Sequence, residues 1–290
     1  MKNESTVMYQ LTELSQYCLS YVIITREDNV IIVDGGRALD MPLLKQYVDG
    51  RHISAWIFTH AHDDHVSGII AELEKNGARD FDVEKFYYNF PDYSLINIDP
   101  SAVPNYEYFC RELNNTLPSF NRVRHLIEDR THIVKQGESI TVDEVRIDFL
   151  YTYHDGLYAN LMNDSSLVFK VHGPEKTVLF LGDLGADGGD FLFRESRHLL
   201  KSDIVQMAHH GHMNVGMEIY AEILPEACMW NAPIWLWNEP EIPDYLSDID
   251  AHFKNRRMRM YGTAVTRKWM ELLGVKKHYI SGEGTHRIVI

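Results

Sequence analysis

No two cysteines of this chain stand at a C-x-x-C spacing. The three present, Cys18, Cys110 and Cys228, lie far apart, which argues against a disulfide framework and against a thiolate metal site. All three read as structural residues. Positive charge is scarce too. Lysine and arginine number 28 against 42 aspartates and glutamates, a net charge of −14, and only Lys254 to Arg259 (KNRRMR) concentrates cations. Without a basic stripe little counterion release is available, so broad binding to a nucleic acid backbone is not expected. A small anionic molecule stays open as a partner, because bound divalent metals reverse the local sign inside a pocket. No stretch of eighteen apolar residues occurs, and the opening MKNESTVMYQLTEL has no basic segment leading into an apolar one. The expectation is a soluble cytoplasmic protein with neither export signal nor membrane span.

Gly/Ser linkers, low-complexity tracts and internal repeats are missing as well. With 45% apolar and 24% charged residues, positions 1–290 read as one domain with a large core. The apolar, β-branched runs YCLSYVIIT and NVIIVD, joined by REDN, predict a hairpin. Asp40, Pro42, the spacing of Leu43, Leu44 and Tyr47, and then Gly50 predict a short helix. ISAWIFT predicts a strand, and VSGIIAELEKNG a helix closed by Gly77. Further strands are expected at DEVRIDFLYTY, SSLVFKV, KTVLFLGD and DIVQMAHH, and helices at GDFLFRESRHLL and MEIYAEILP. Repeated strand and helix layers predict a two-layer or sandwich α/β core. Residues from about 91 to 130 differ: they are rich in Asn, Pro and Tyr without strand alternation, and read as an inserted helical element.

Between strand and helix stands WIFTHAHDDHVSG, Trp56 to Gly68, with three histidines and two aspartates within six positions. One aspartate could cap the helix; capping does not account for three histidines. His60 and His62, two apart, point the same way if the backbone stays extended. Asp64 and His65 follow at the turn and can aim at a neighbouring point. Imidazoles and carboxylates without thiolates suit zinc, iron or manganese.

This H-x-H-x-D-H segment after a strand resembles the signature of the metallo-β-lactamase fold superfamily. The resemblance implies a four-layer αβ/βα sandwich and extends along the chain. It assigns Asp34, in IIVDGG, to fixing a ligand histidine. It assigns Asp183, in VLFLGD, to bridging two metals, and one of His209 and His210, in VQMAHHGH, to ligation. His60 and His62 would then hold one cation, and Asp64, His65 and one of the HHG pair the other. The remaining histidine of the pair would donate a hydrogen bond to an oxyanion or leaving group. Taking His210 as ligand and His209 as that neighbour, catalysis falls to Asp64, His209 and Asp34. Two divalent cations are implied, zinc first, with manganese or iron as alternatives.

One piece departs from the superfamily pattern. Where most such hydrolases carry a third-motif histidine, this chain has LMNDSSLVFKV with none. The N-D-x-S-L-V stretch and the HHG turn look like the branch containing the lactamase-like domain of DNA-uptake channel proteins, in which Asn163 takes the missing place. His154 is the alternative donor. The resemblance implies a binuclear hydrolase of an anionic ester, a phosphodiester above all. A thioesterase or lactonase of the glyoxalase II type is disfavoured by the absent histidine, and a redox di-iron protein by His62, where that branch carries Glu.

Other residues read as structural. His125, His132, His172, His198, His252, His278 and His286 are isolated, and Trp230, Trp235 and Trp237 read as packing. Arg256, Arg257 and Arg259 read as a solvated helix face. Gly182, Gly185, Gly188 and Gly189 match no phosphate-loop spacing and read as letting the chain turn sharply beside the metals.

Overall fold

The computed structural model describes residues 3–242 and 261–290; His252, Arg256, Arg257 and Arg259 lie outside them. The first half of the chain supplies β1 (Val7–Gln10), β2 (Ser20–Ile24), β3 (Val30–Asp34), α1 (Met41–Val48), β4 (Ile53–Ile57), α2 (Asp63–Asn76) and β5 (Phe86–Tyr88). A helical connection containing α3 (Tyr106–Asn115) and α4 (Leu117–Val123) leads to β6 (Thr131–Ile133). The second half supplies β7 (Ser139–Val142), β8 (Val145–Tyr151), the short α5 (Leu161–Asp164), β9 (Val168–His172), β10 (Thr177–Phe180) and α6 (Ala186–Ser196). Then come β11 (Ile204–Gln206), α7 (Met217–Ile223), β12 (Ala227–Trp230), α8 (Ile234–Trp237), a helix Thr263–Leu272, β13 (Lys277–Ile280) and β14 (His286–Val289).

Two mixed sheets result, with strand orders β14-β1-β2-β3-β4-β5-β6 and β13-β12-β11-β10-β9-β8-β7. They face each other between outer helices as a metallo-β-lactamase-type αβ/βα sandwich with a helical insertion. Strand periodicity builds the layers. Ile31 and Val33 point into the core between the sheets, with Phe149, Phe169 and Phe180 of the other sheet. Their neighbours Val30 and Ile32 point outward, onto Leu44, Val66, Ile69 and Leu73 of α1 and α2. On the opposite outer face Leu179, Val205 and Cys228 meet Leu192, Ile219 and Ile223 of α6 and α7.

The hairpin, α1 and the strand before the histidine-rich loop fall where the sequence puts them. Helix α2 begins earlier than expected, at Asp63 rather than Val66, with His62 at its N-cap in extended conformation. Asp63 and Asp64 thus occupy the first turn, where negative charge complements the exposed backbone N–H groups. Of the tryptophans, Trp230 is buried and packs edge-on against Trp237. Trp235 is 52% exposed and lies edge-on to Tyr17, so it is a surface residue rather than a core one. No helix among the described residues is long and apolar enough to cross a membrane.

Candidate metal centre

The H-x-H-x-D-H segment leaves β4 at the sheet end and turns into α2, so its side chains converge where the two sheets meet. His60 Nε2 and His62 Nδ1 stand 3.0 Å apart. Together with Asp183 they form one group of ligand atoms. Asp64, His65, Asp183 and His210 form a second, in which all four are buried. Asp183 belongs to both. Its Oδ2 lies 3.2 Å from His210 Nε2, 3.3 Å from His65 Nε2 and 3.9 Å from His60 Nε2, while His210 Nε2 is 3.0 Å from Asp64 Oδ2.

Two glycines make these approaches sterically feasible. Gly182, just before Asp183, has φ +56°, and a Cβ there would stand 2.9 Å from Ser166 Cβ and 3.1 Å from Thr59 Cβ. The HHG turn is more unusual. His209 and His210 both hold positive φ, at 48° and 56°, a conformation that side-chain-bearing residues adopt only when their surroundings enforce it. Gly211 continues it at 97°, where any Cβ would run into the Trp230 ring. This left-handed run aims His210 inward.

Each inward-facing imidazole has its other nitrogen held. Asp34 Oδ2 lies 2.7 Å from His65 Nδ1 and also accepts from Thr59 Oγ1, while Asp34 Oδ1 accepts from the Thr59 N–H. The Asn231 carbonyl accepts from His210 Nδ1 at 2.8 Å, and Thr59 Oγ1 lies 3.2 Å from His60 Nδ1. Glu112 Oε2, on α3, accepts from His62 Nε2 at 2.8 Å. These partners leave His60 Nε2, His65 Nε2 and His210 Nε2 facing the carboxylates and His62 Nδ1 facing His60 Nε2. The donor set fits divalent cations. His65 Nε2, Asp183 Oδ1 and Asn163 Oδ1 are buried without a hydrogen-bond partner among the described residues, an arrangement that costs free energy unless something else satisfies it.

Without metal, the cluster balances its charges by protonation. Burial alone would raise the Asp183 carboxyl, but His210 and His65 overcome it and hold the group well below its usual range. Asp64 is lowered by the same two rings against the same burial. Burial opposes the charging of His210, yet Asp183 and Asp64 push it up to about 10. His65 is likewise raised, with Asp34 as a third anion. His60 goes the other way, kept neutral by burial and by the charge on His65.

A pH dependence follows for the metal-free protein. His210 has a folded value near 10 against 6.5 when unperturbed. Its contribution to stability is therefore fully present below pH 6.5 and is lost as pH rises toward 10. The depressed carboxylates act at the acid end, where their contribution disappears as pH falls below the usual 3.8. Metal-free protein should melt at progressively lower temperature from pH 6.5 to 9.5, whereas metal-loaded protein, whose ligand imidazoles are already deprotonated, should change less. Thermal melts across that range check this; a rising melting temperature for the metal-free form would contradict it.

The remaining expected residues separate clearly. Asn163, at the end of α5, lines a cavity of about 410 Å³ together with His62, Asp64, Asp183, His209 and His210. His154 does not line it: the ring stacks on Phe191, with Nε2 3.9 Å from Glu195. The neighbours of Asn163 organise the loop carrying Asp183. Asp164 Oδ1 accepts from Gly188 N at the start of α6, and Ser166 Oγ accepts from Asp183 N. His209 lines the cavity but lies outside both ligand groups. Its Nδ1 donates to the Met213 carbonyl at 3.2 Å, and burial beside His212 lowers its pKa to about 3. It is thus neutral, with Nε2 an acceptor. Glu112, Tyr108, Arg111, Arg37, Tyr17 and His212 also line the cavity without having been anticipated. For Glu112 a signal existed: a carboxylate beside Phe109 and Leu113 on the buried stripe of α3.

Residues 16–214, well over half the chain, match the model of the metallo-beta-lactamase superfamily, and the chain belongs to that superfamily. Its members are mostly metal-dependent hydrolases, with hydroxylases and oxidoreductases among them. The fold is similar to the metallo-beta-lactamase fold protein YhfI from Bacillus subtilis, with TM-score 0.52, 13% identity, and coverage of 97% of this chain and 99% of that one. It is similar to Zn(2+)-bound PqqB from Methylobacterium extorquens, with TM-score 0.54, 10% identity and coverage of 98% and 100%. A mutant of the CmlA β-hydroxylase gives TM-score 0.54 at 10% identity over all of this chain and 55% of that one. At such identities the likeness is one of fold alone. No curated protein matches the chain significantly.

Proposed function

We propose that this protein is a binuclear metal-dependent hydrolase of a phosphodiester or a similar anionic ester. The observation that carries the reading is the meeting of two ligand groups at one carboxylate, Asp183. His60 and His62 hold the first cation with Asn163 as a neutral donor, and Asp64, His65 and His210 hold the second. Zinc is the first choice for this nitrogen and oxygen set, with manganese or iron as alternatives. Divalent cations bound there supply Lewis acidity and activate water at neutral pH.

The chain's own residues then set the substrate. Arg37 and Arg111 bring two guanidinium groups to the cavity wall, Arg37 held by Asp63 at 2.7 Å and Arg111 lying over the Tyr108 ring. Both favour an anion. With Asn163 in place of an imidazole, the first group carries fewer strong donors and gains most from a substrate with two anionic oxygens, which a phosphodiester has and a lactone or thioester lacks. His209, neutral and with Nε2 as acceptor, can take a hydrogen bond from a protonated substrate oxygen, but with its pKa lowered to about 3 it is a weak base. The N-D-x-S-L-V stretch from Asn163 to Val168 and the His209, His210, Gly211 turn support kinship with the DNA-uptake branch. The acidic composition disfavours a nucleic acid as the substrate.

The test is a side-by-side assay of metal-loaded protein on bis(p-nitrophenyl) phosphate, a simple thioester and a lactone. The diester should be turned over fastest. Preference for either acyl substrate would reject the assignment in favour of a thioesterase or lactonase, and protein that takes up no zinc or manganese would reject the metal reading altogether.

A further inference from the structure

The helical insertion sends one carboxylate into the cavity wall that the H-x-H-x-D-H motif does not supply. Glu112 is 8% exposed, and its Oε2 accepts from His62 Nε2 at 2.8 Å. The opposite nitrogen of the same ring, Nδ1, faces His60 Nε2 at 3.0 Å, and His60, His62 and Asp183 form one ligand group. Glu112 therefore stands behind the His62 ring, on the side away from the other ligand atoms. A carboxylate in that position fixes the ring orientation, keeps the proton on Nε2, and makes Nδ1 a stronger donor.

The two ligand groups are symmetrical in this respect. Asp34 stands behind His65 in the second group as Glu112 stands behind His62 in the first. Their supports differ: Asp34 ends a central strand, whereas Glu112 rides on α3. The buried side of α3 is built from Phe109 and Leu113, which pack with Leu161 and Met162 of α5 and with Ala61, the residue between the two histidines. Docking of α3 thus sets Glu112 and braces the short helix that carries Asn163.

We propose that Glu112 is a positioning residue for the first metal site, offsetting the imidazole that the third motif lacks and tying occupancy of that site to the docked insertion. The proposal rests on the reading that the His60, His62 and Asp183 group holds a cation. It goes beyond that reading by assigning control of that cation to the insertion.

Zinc titrations of metal-free protein against a chromophoric chelator test it, with wild type, Glu112→Ala and Glu112→Gln compared. Wild type should take up two equivalents. Glu112→Ala should keep one at unchanged affinity and bind the other ~10–100-fold more weakly. Glu112→Gln, whose amide oxygen still accepts from His62 but carries no charge, should fall between. In a His62→Ala background the Glu112 change should add nothing to the loss. Wild-type affinity for both equivalents in Glu112→Ala, or equal weakening of both, overturns the proposal. If Glu112→Ala fails to fold, Glu112→Gln decides, and two unaltered equivalents count against it. Wild-type protein that binds fewer than two equivalents overturns the parent reading and this one with it.

Discussion

Replacing Asp183 by alanine is expected to abolish tight binding of both metals at once. Ester turnover should fall by roughly a thousandfold or more, since the cations contribute several kcal/mol of transition-state stabilisation and each 1.36 kcal/mol is tenfold in rate. Among the described residues, no other side chain is common to the two ligand groups. His62→Ala, by contrast, touches the first group alone and should leave one equivalent of metal bound, with activity lost. The fold should survive the change at Asp183. Its backbone N–H still donates to Ser166 Oγ, and the bend at Gly182 is unaffected. The side chain's shortest contacts are to His65 and His210, which can shed their protons once a counter-charge is gone. Metal analysis after gel filtration, alongside a far-ultraviolet circular dichroism spectrum, checks both parts. Two equivalents retained in Asp183→Ala would mean that the groups do not share this carboxylate.

The contrast between Asp183 and Glu112 explains how far the sequence could be read. His60, His62, Asp64 and His65 are legible because they are nearly consecutive, and Asp34 and Asp183 because each follows an apolar, β-branched or aromatic run. The hairpin of β2 and β3, and the strand followed by α2, are legible because their periodicity is local. What escaped depends on residues far apart in the chain. Strand β1 is four residues long and pairs with β14 at the opposite end, Val7 against Val289, so no local pattern marks either. The start of α2 was obscured because Asp63 and Asp64 also suit a turn, and the first-turn charge preference decided otherwise. Asn163 and His154 lie nine residues apart; only the stacking of His154 on Phe191 separates them. Glu112, fifty residues from the histidine it serves, has no sequence neighbour to announce it except the apolar residues beside it.

Asp34 gives the sharpest test of how proton placement governs the second group. It holds φ +52°, so Asn, which tolerates the left-handed region, is a cleaner replacement than Ala. In Asp34→Asn the amide oxygen must face the Thr59 N–H, now 2.7 Å from Oδ1, because the reverse orientation would set donor against donor in a fully buried position. Such an unsatisfied pair costs roughly 1–3 kcal/mol. The amide NH2 then takes the place of Oδ2, facing Thr59 Oγ1 and His65 Nδ1. A donor there pairs with an unprotonated Nδ1 and moves the ring proton to Nε2. That nitrogen lies 3.3 Å from Asp183 and 3.7 Å from Asp64, where a cation would otherwise take its lone pair. Asp34→Asn should therefore weaken the second equivalent of zinc by ~10–100-fold and leave the first nearly unchanged. Asp34→Ala should also weaken it, with an added loss of thermal stability from the strained backbone and the orphaned Thr59 N–H. Nitrogen-15 imidazole shifts of the metal-free protein report the His65 protonation directly, with both ring nitrogens protonated in the wild type and Nδ1 unprotonated in Asp34→Asn. Unaltered zinc affinity in Asp34→Asn would mean that Asp34 only closes the turn before Gly35 and does not orient His65.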